Sequence, residues 1–424
     1  MERDARDRLT PLRRLFALER VDQQGFIYLD GNSLGALPNA AIERVRHVVE
    51  EEWGVGLVRS WNSAGWITLA NRVAAKIARV IDAEPHAVVV ADSTSINLYK
   101  ILSAAMAIVR ADAPERNRIV SERTNFPSDL YIAQSLARTH GFELVLVEAD
   151  EIDAALDHRA AIVLLTHVNY RTGRMHSMVE ITRRAHDAGA IMMWDLAHSA
   201  GAMPIELHGA HADEAADFAI GCGYKYLNGG PGAPAFAWAH PRHLARMDRD
   251  VWQPPLSGWL GHAAPFAFSP EYEPGAGMSR FICGTPPVLS LAALECGVDT
   301  VLAANDYGGL ATIREKSIAL TDLFIDLVDT YCAEHGLALV TPRDGQARGS
   351  QVSLAHPTGG YAIMQALITR GVIGDFRAPD VLRFGFAPLY TRFVDVWEAV
   401  DRLRLVLAHG EWQEPRFGVR AAVT

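Results

Sequence analysis

The stretch Ala190-Ile191-Met192-Met193-Trp194-Asp195-Leu196-Ala197-His198 is an apolar run closed by an acid, with an imidazole three residues beyond. An unbroken apolar run with no polar alternation fits a strand buried on both faces of a mainly parallel sheet. Similar short runs recur at 87–90, 118–120, 143–147, 161–165 and 217–220. Between them, 128–138 and 179–188 carry helix-like patterns with polar residues at or near their starts. Strand and helix in turn predict a wound α/β domain, in which ligands gather at the carboxyl ends of the strands. Asp195 and His198 stand at one such end.

Outward from this region the pattern changes. A helical stretch at about 39–82 holds Trp53, Trp61 and Trp66. Beyond about 310 come a long helix (313–332), two extended runs (351–354 and 382–386) and two more helices (360–370 and 393–408), the pattern of a smaller α+β domain. The expected division is an N-terminal segment, 1–60, packing with the small domain, a large domain, 61–310, and a small C-terminal domain, 311–424. The Pro-, Gly- and Ser-rich stretch 254–287 is too long for a plain connection and is expected to be an ordered functional loop.

With 424 residues, 49% of them hydrophobic and 21% charged, the chain has an ordinary globular composition and room for more than one core. A formal charge of −10 and the absence of a basic tract argue against nucleic-acid binding, so the partner is sought among small molecules. Cys222, Cys283, Cys296 and Cys332 are far apart, without a CxxC pair or zinc spacing, and are expected to be free thiols. The charged start, Met1 to Asp7, lacks a signal-peptide core, and no run of the length needed to span a membrane is evident. A cytoplasmic location is the simplest expectation.

Thirty residues after Asp195 comes Lys225, in Gly223-Tyr224-Lys225-Tyr226, followed by Asn228-Gly229-Gly230-Pro231-Gly232. An amine among aromatics, with an acid at the end of a strand, is what pyridoxal 5'-phosphate (PLP) chemistry requires. The amine holds the aldehyde as a Schiff base, and the carboxylate keeps the pyridine nitrogen protonated so that the ring acts as an electron sink. Taken singly, a surface lysine and a glycine turn would read the same way.

Other segments at strand ends add to this. Asp92-Ser93-Thr94-Ser95 opens a helix, where free N–H groups and the hydroxyls of Thr94 and Ser95 suit a phosphate, although Ser or Thr there also serves simply as a cap. In Asn125-Phe126-Pro127-Ser128-Asp129 the ring of Phe126 could cover a flat cofactor and Asp129 could bond a ring substituent; the same residues equally make a helix start. Thr166 ends a further strand. Asp195 and His198 could also be two metal ligands, but no third ligand accompanies them and no metal is expected. Arg383, a guanidinium inside the apolar run Val381-Leu382-Arg383-Phe384, either forms an internal salt bridge or receives a substrate carboxylate bidentately.

At these residues the chain resembles the kynureninase family, PLP enzymes of fold type I that act in tryptophan catabolism and feed NAD biosynthesis. The resemblance runs through Asp30-Gly31-Asn32-Ser33-Leu34-Gly35, Ser60-Trp61-Asn62-Ser63-Ala64-Gly65-Trp66, Tyr224 to Gly232, Leu256-Ser257-Gly258-Trp259, Phe281-Ile282-Cys283-Gly284-Thr285 and Arg383 to Tyr390. It implies a PLP-dependent transferase-like fold and hydrolysis of L-kynurenine to anthranilate and L-alanine, by a homodimer with its sites at the subunit interface. It further implies that Lys225 is the Schiff-base lysine and Asp195 the pyridinium partner. Thr94, Ser95, Tyr224 and Trp259 would surround the phosphate, with Thr285 reaching in from the other subunit. Phe126 would stack on the ring, with Asp129, Thr166 and His198 nearby, and Arg383 would take the substrate α-carboxylate. Tyr224 is the expected acid/base for hydration of the γ-carbonyl. Trp61, Gly284 and Thr285 look like the bacterial form of the aryl pocket, which favours kynurenine over 3-hydroxykynurenine. Two stretches, 208–216 and 248–250, look like short additions to the bacterial pattern. The rival reading is a cysteine desulfurase-like lyase on the same fold, for which Cys283 would have to be a mobile nucleophile.

Overall fold

The computed structural model describes residues 2–250 and 252–420. Seven strands make the central sheet: β1 (Val88–Ala91), β2 (Arg118–Glu122), β3 (Glu143–Val147), β4 (Ala160–Thr166), β5 (Ile191–Asp195), β6 (Phe218–Gly221) and β7 (Ala235–Ala239). Their order is β1-β7-β6-β5-β4-β2-β3, all parallel except β7, which runs antiparallel to both neighbours. Every residue of β4 is buried, as the unbroken apolar run requires. Six strands lie where the apolar runs put them, and β7 is a seventh that the runs do not mark. Its sequence, Ala235-Phe236-Ala237-Trp238-Ala239, is rich in alanine, which has little strand preference, and burial between β1 and β6 sets its conformation instead.

Helices cover the sheet. The one at Thr94–Asp112 is capped by Ser93, whose hydroxyl accepts from the Ile96 amide at 3.4 Å. The helix Pro127–His140 starts with proline in its first turn and stops at Gly141, where φ is +70°. The apolar stretch Val288–Tyr307 is long and apolar enough to cross a membrane, contrary to expectation. Leu291, Leu294, Val298 and Val301 are buried in the core beside the helix Trp66–Val80, so its hydrophobicity is already used by packing.

A second sheet, antiparallel, contains β8 (Ala338–Leu339), β9 (Gln351–Ala355), β10 (Asp375–Arg377) and β11 (Val381–Gly385), in the order β10-β11-β9-β8. The helices Gly309–Tyr331, Gly360–Thr369 and Phe393–Ala408 pack with it around Phe324, Leu382, Phe384 and Val396. The N-terminal segment enters both cores. Leu9, Leu12 and Phe16 join the first, whereas Ile27 and Leu29 join the second through parallel pairing of Ile27–Tyr28 with Val372–Ile373.

The long loop is built from single helical turns at Trp259–Gly261, Pro265–Ala267 and Gly277–Phe281. Arg280 is buried within it, donates to the carbonyls of Met247 and Trp252 at 2.9 Å, and pairs with Asp248. Asp248 also accepts from the Gly277 amide at 3.0 Å. The 248–250 stretch therefore ends the helix Pro241–Arg249 and pins the loop. In 208–216 the Glu214 carboxylate closes a turn on the amides of Ala210 and His211.

Candidate active site

Four loops meet at the carboxyl ends of the parallel strands, and together they line a cavity of about 400 Å³. The end of β1 supplies Ser93, Thr94 and Ser95, the end of β2 supplies Phe126 and Asp129, the end of β5 supplies Asp195 and His198, and the return from β6 to β7 supplies Tyr224 and Lys225. Pro287 and Ser290, which no sequence signal marked, close one side.

Lys225 is buried, and its Nζ lies 2.9 Å from Nε2 of His198. Burial and the neighbouring lysine charge hold His198 well below the usual imidazole range, so it is neutral and accepts from the lysine. The same amine lies 5.7 Å from the centre of the Phe126 ring and 5.8 Å from that of Tyr224. Burial, Cys222 and Asp195 push the Tyr224 phenol up, which keeps it protonated and able to donate.

Asp129 and Asp195 form a buried carboxyl pair. Burial raises both, each carboxyl hydrogen-bonds the other, and the Lys225 charge only partly offsets the cost. Asp195 also accepts from the Ala197 amide at 2.9 Å. Thr166 hydrogen-bonds Asn125 and adjoins Asp195, so it acts from behind the cavity wall. Among the described residues, Oδ2 of Asp129 and Nδ1 of His198 are buried without a partner. Orphaned polar atoms are costly, and a polar group seated in this cavity would relieve them. The residues fit PLP: Asp195 would hold the ring nitrogen, Phe126 would cover the ring, Lys225 would take the aldehyde, and Thr94 and Ser95 at the helix start would hold the phosphate.

Arg383 lies in a neighbouring cluster, not in the cavity wall. Its Nε donates to Oδ1 of Asp375 at 2.7 Å, one terminal nitrogen donates to the carbonyl of Tyr170 at 2.8 Å, and the other reaches Ser33 Oγ at 2.7 Å as well as Asp375. The residue makes the internal salt bridge, and its charge is felt at His198 in the cavity wall. The ring of Tyr170 sits edge-on to Phe126 at 5.1 Å between centres, which joins cluster to cavity. Tyr170, Ser33 and Asp375 carry no sequence signal for this role beyond the Ser33 motif.

The remaining expected residues stay apart from this cavity in the single chain. Trp61 packs edge-on against Trp66 at 5.8 Å. Trp259 is 39% exposed and meets Phe266, and Gly284 and Thr285 are exposed. Cys283 is not among the lining residues; its thiol is held by the carbonyl of Leu256 at 3.2 Å. No group of three or more His, Cys, Asp or Glu among the described residues could hold a metal ion.

Solved structures with this fold include a cysteine desulfurase from Thermococcus onnurineus, at TM-score 0.76 and 19% identity, covering 94% of this chain and 98% of that one. Another is a cysteine desulfurase from Escherichia coli, at TM-score 0.74 and 18% identity, covering 95% and 98%. At that identity they share the fold alone, a PLP-dependent fold type I architecture. Residues 313–403 match the Kynureninase C-terminal domain family. Over the full length the chain is 53% identical to kynureninases from Pseudomonas fluorescens and Burkholderia mallei, covering 99% of this chain and 98% of each relative. Identity of that extent over the full length makes the chain a member of the kynureninase family.

Proposed function

We propose that the protein hydrolyses L-kynurenine to anthranilate and L-alanine, with PLP bound at Lys225. The observation that carries this reading is the buried amine of Lys225 beside a neutral His198, in one cavity with the buried carboxyl pair of Asp129 and Asp195, of which Oδ2 of Asp129 has no partner among the described residues. When bound, the cofactor supplies the electron sink that makes substrate C–H and C–C bonds labile. The chain does the rest. Asp195 holds the ring nitrogen protonated, Lys225 moves the proton at the substrate Cα, Tyr224 donates to the γ-carbonyl as water adds, and Arg383 orients the α-carboxylate.

The homodimer belongs to the same reading. Trp53, Leu57 and Val58 are 57%, 58% and 77% exposed, and Phe266 and Phe268 are 63% and 77% exposed, large apolar side chains that a second subunit would cover. A second copy bringing Thr285 to the phosphate beside Trp259, and Gly284 with Thr285 to the aryl pocket beside Trp61, would account for their distance from the cavity of their own chain. The aryl pocket then prefers kynurenine to its 3-hydroxy form. Two hydrophobic cores support the division into large and small domains near 310, and four free cysteines support a cytoplasmic setting.

The desulfurase reading is supported only at the level of fold, and Cys283 lies outside the cavity. The deciding experiment is to add L-kynurenine to the PLP-loaded protein and follow anthranilate fluorescence. Sulfide release from L-cysteine without anthranilate would reverse the choice.

A further inference from the structure

Charge balance in the Arg383 cluster is unusual. Asp375 faces Arg383 directly across the β10–β11 ladder, and Arg377 follows two residues along β10, on the same face as Asp375. Asp375 accepts from Arg383 through both oxygens, from Ser33 at 2.9 Å, and from Arg377 at 2.7 Å. Four of the five N–H groups of Arg383 are therefore engaged inside the protein, and its side chain is 2% exposed. A guanidinium so matched by one carboxylate is a nearly neutral pair and attracts an anion poorly. Arg377 differs. It spends one N–H on Asp375, its Nε is buried without a partner among the described residues, and its side chain is 38% exposed. Its charge is felt at Tyr170, Tyr224 and His198, which border or line the cavity.

We propose that Arg377 is a second carboxylate-recognition residue, supplying the uncompensated positive charge of a two-arginine receptor in which Arg383 is the fixed arm. This rests on the reading that the Arg383 cluster receives the α-carboxylate of an amino-acid substrate. Two guanidiniums share the Asp375 carboxylate, and the neighbouring Asp30 carboxyl is raised to about 7 by burial and by Asp375, so while Asp30 is protonated one positive charge is left over for the ligand. The open N–H groups of Arg377 and the last N–H of Arg383 are the donors that remain to bind it.

The test uses the PLP-loaded protein and two variants, Arg377→Gln and Arg377→Lys. L-alanine, the expected product, carries the α-carboxylate without the aryl group, and its dissociation constant is read by calorimetry, independent of turnover. Kynuramine, which lacks the carboxylate, is the control ligand. Loss of a charge-assisted hydrogen bond predicts that Arg377→Gln weakens L-alanine, and raises KM for L-kynurenine, roughly tenfold to a hundredfold, with kynuramine binding unchanged. Arg377→Lys keeps the charge and is expected to hold L-alanine within a few-fold of the parent, and Arg377→Met, which also removes the charge, takes the place of the glutamine variant should that one not fold. Unchanged L-alanine affinity in Arg377→Gln overturns the proposal, as does equal weakening of kynuramine or a loss in Arg377→Lys as large as in Arg377→Gln. Failure of the unaltered protein to release anthranilate would instead overturn the kynurenine reading, and the L-alanine ratios would still decide the role of Arg377.

Discussion

The amide of Gly35 donates to the carbonyl of Tyr224 at 2.8 Å, which ties the N-terminal motif to the residue beside Lys225. The contact leaves no room for a side chain: a Cβ on Gly35 would lie 2.4 Å from the Lys225 carbonyl oxygen and 2.4 Å from Oδ1 of Asn228. Gly35→Ala should therefore push the lysine loop aside, at an overpacking cost of about 1–3 kcal/mol. The expected outcome is a lower Tm together with weaker PLP retention, followed by thermal denaturation and the visible absorbance of the bound cofactor.

Lys225→Ala removes the amine that moves the Cα proton. Turnover of L-kynurenine should fall by roughly 10²–10⁴-fold or more, with the fold unchanged in circular dichroism. Full anthranilate release by this variant would remove the lysine from the chemistry.

Asp30 supplies a pH signature. Burial and the Asp375 charge outweigh the pull of Arg383, Ser33 and Arg377 and raise its carboxyl to about 7, and it in turn faces Tyr28, Tyr226 and Tyr390. Below pH 7 Asp30 is neutral and the spare positive charge of the arginine cluster is available. Above it, the ionised carboxylate cancels that charge, so carboxylate affinity falls as pH rises. The ratio of L-alanine affinities in Asp30→Asn and the parent should thus grow above pH 7, by at most about tenfold per pH unit for one linked proton. A flat ratio from pH 6 to 9 would show that Asp30 does not titrate there.

At the opposite end of the sheet, Asp217 is held by His186 at 2.8 Å, His243 at 2.6 Å and the Met192 amide at 2.7 Å. Burial pushes its carboxyl up, but the hydrogen bonds from His186 and His243 outweigh this and hold it well below the usual range. Its contribution to stability is present above the unfolded value of about 3.9 and is lost on acidification. His186, lowered by burial but raised further by Asp217, contributes in the other sense: present below its unfolded value of about 6.5, lost as pH rises through its elevated folded value. Asp217→Asn should destabilise by about 3–5 kcal/mol in denaturant unfolding while leaving KM for L-kynurenine unchanged.

Much of this was legible in the residues themselves. The runs ending at Thr166 and Asp195 are continuous and β-rich because both faces of the sheet are covered, and that pattern shows in any single segment. The strand Ala235–Ala239 was not legible, because its conformation follows from neighbours far away in the chain and alanine declares no preference. The same holds for Arg377. Its significance lies in what Asp375 has already spent on Arg383, a sum over three side chains on two strands that no local pattern displays. Trp61, Trp259 and Thr285 illustrate a third case, residues recognisable by motif but without a place in the cavity of a single chain.

The two-core anchoring of the N-terminal segment also bears on how the protein is made. Ser33 meets Arg383 across 350 residues of chain, and Leu29 donates to Ile373 and accepts from Gly385, so this segment leaves the ribosome long before its partners are made. Pairings of such separation pay their loop-closure entropy late and slow the final step. Until then Ile27 and Leu29 stay uncovered and the carboxylate-binding corner is unformed, so the nascent chain has a sheet and a lysine before it has a place to receive an amino acid.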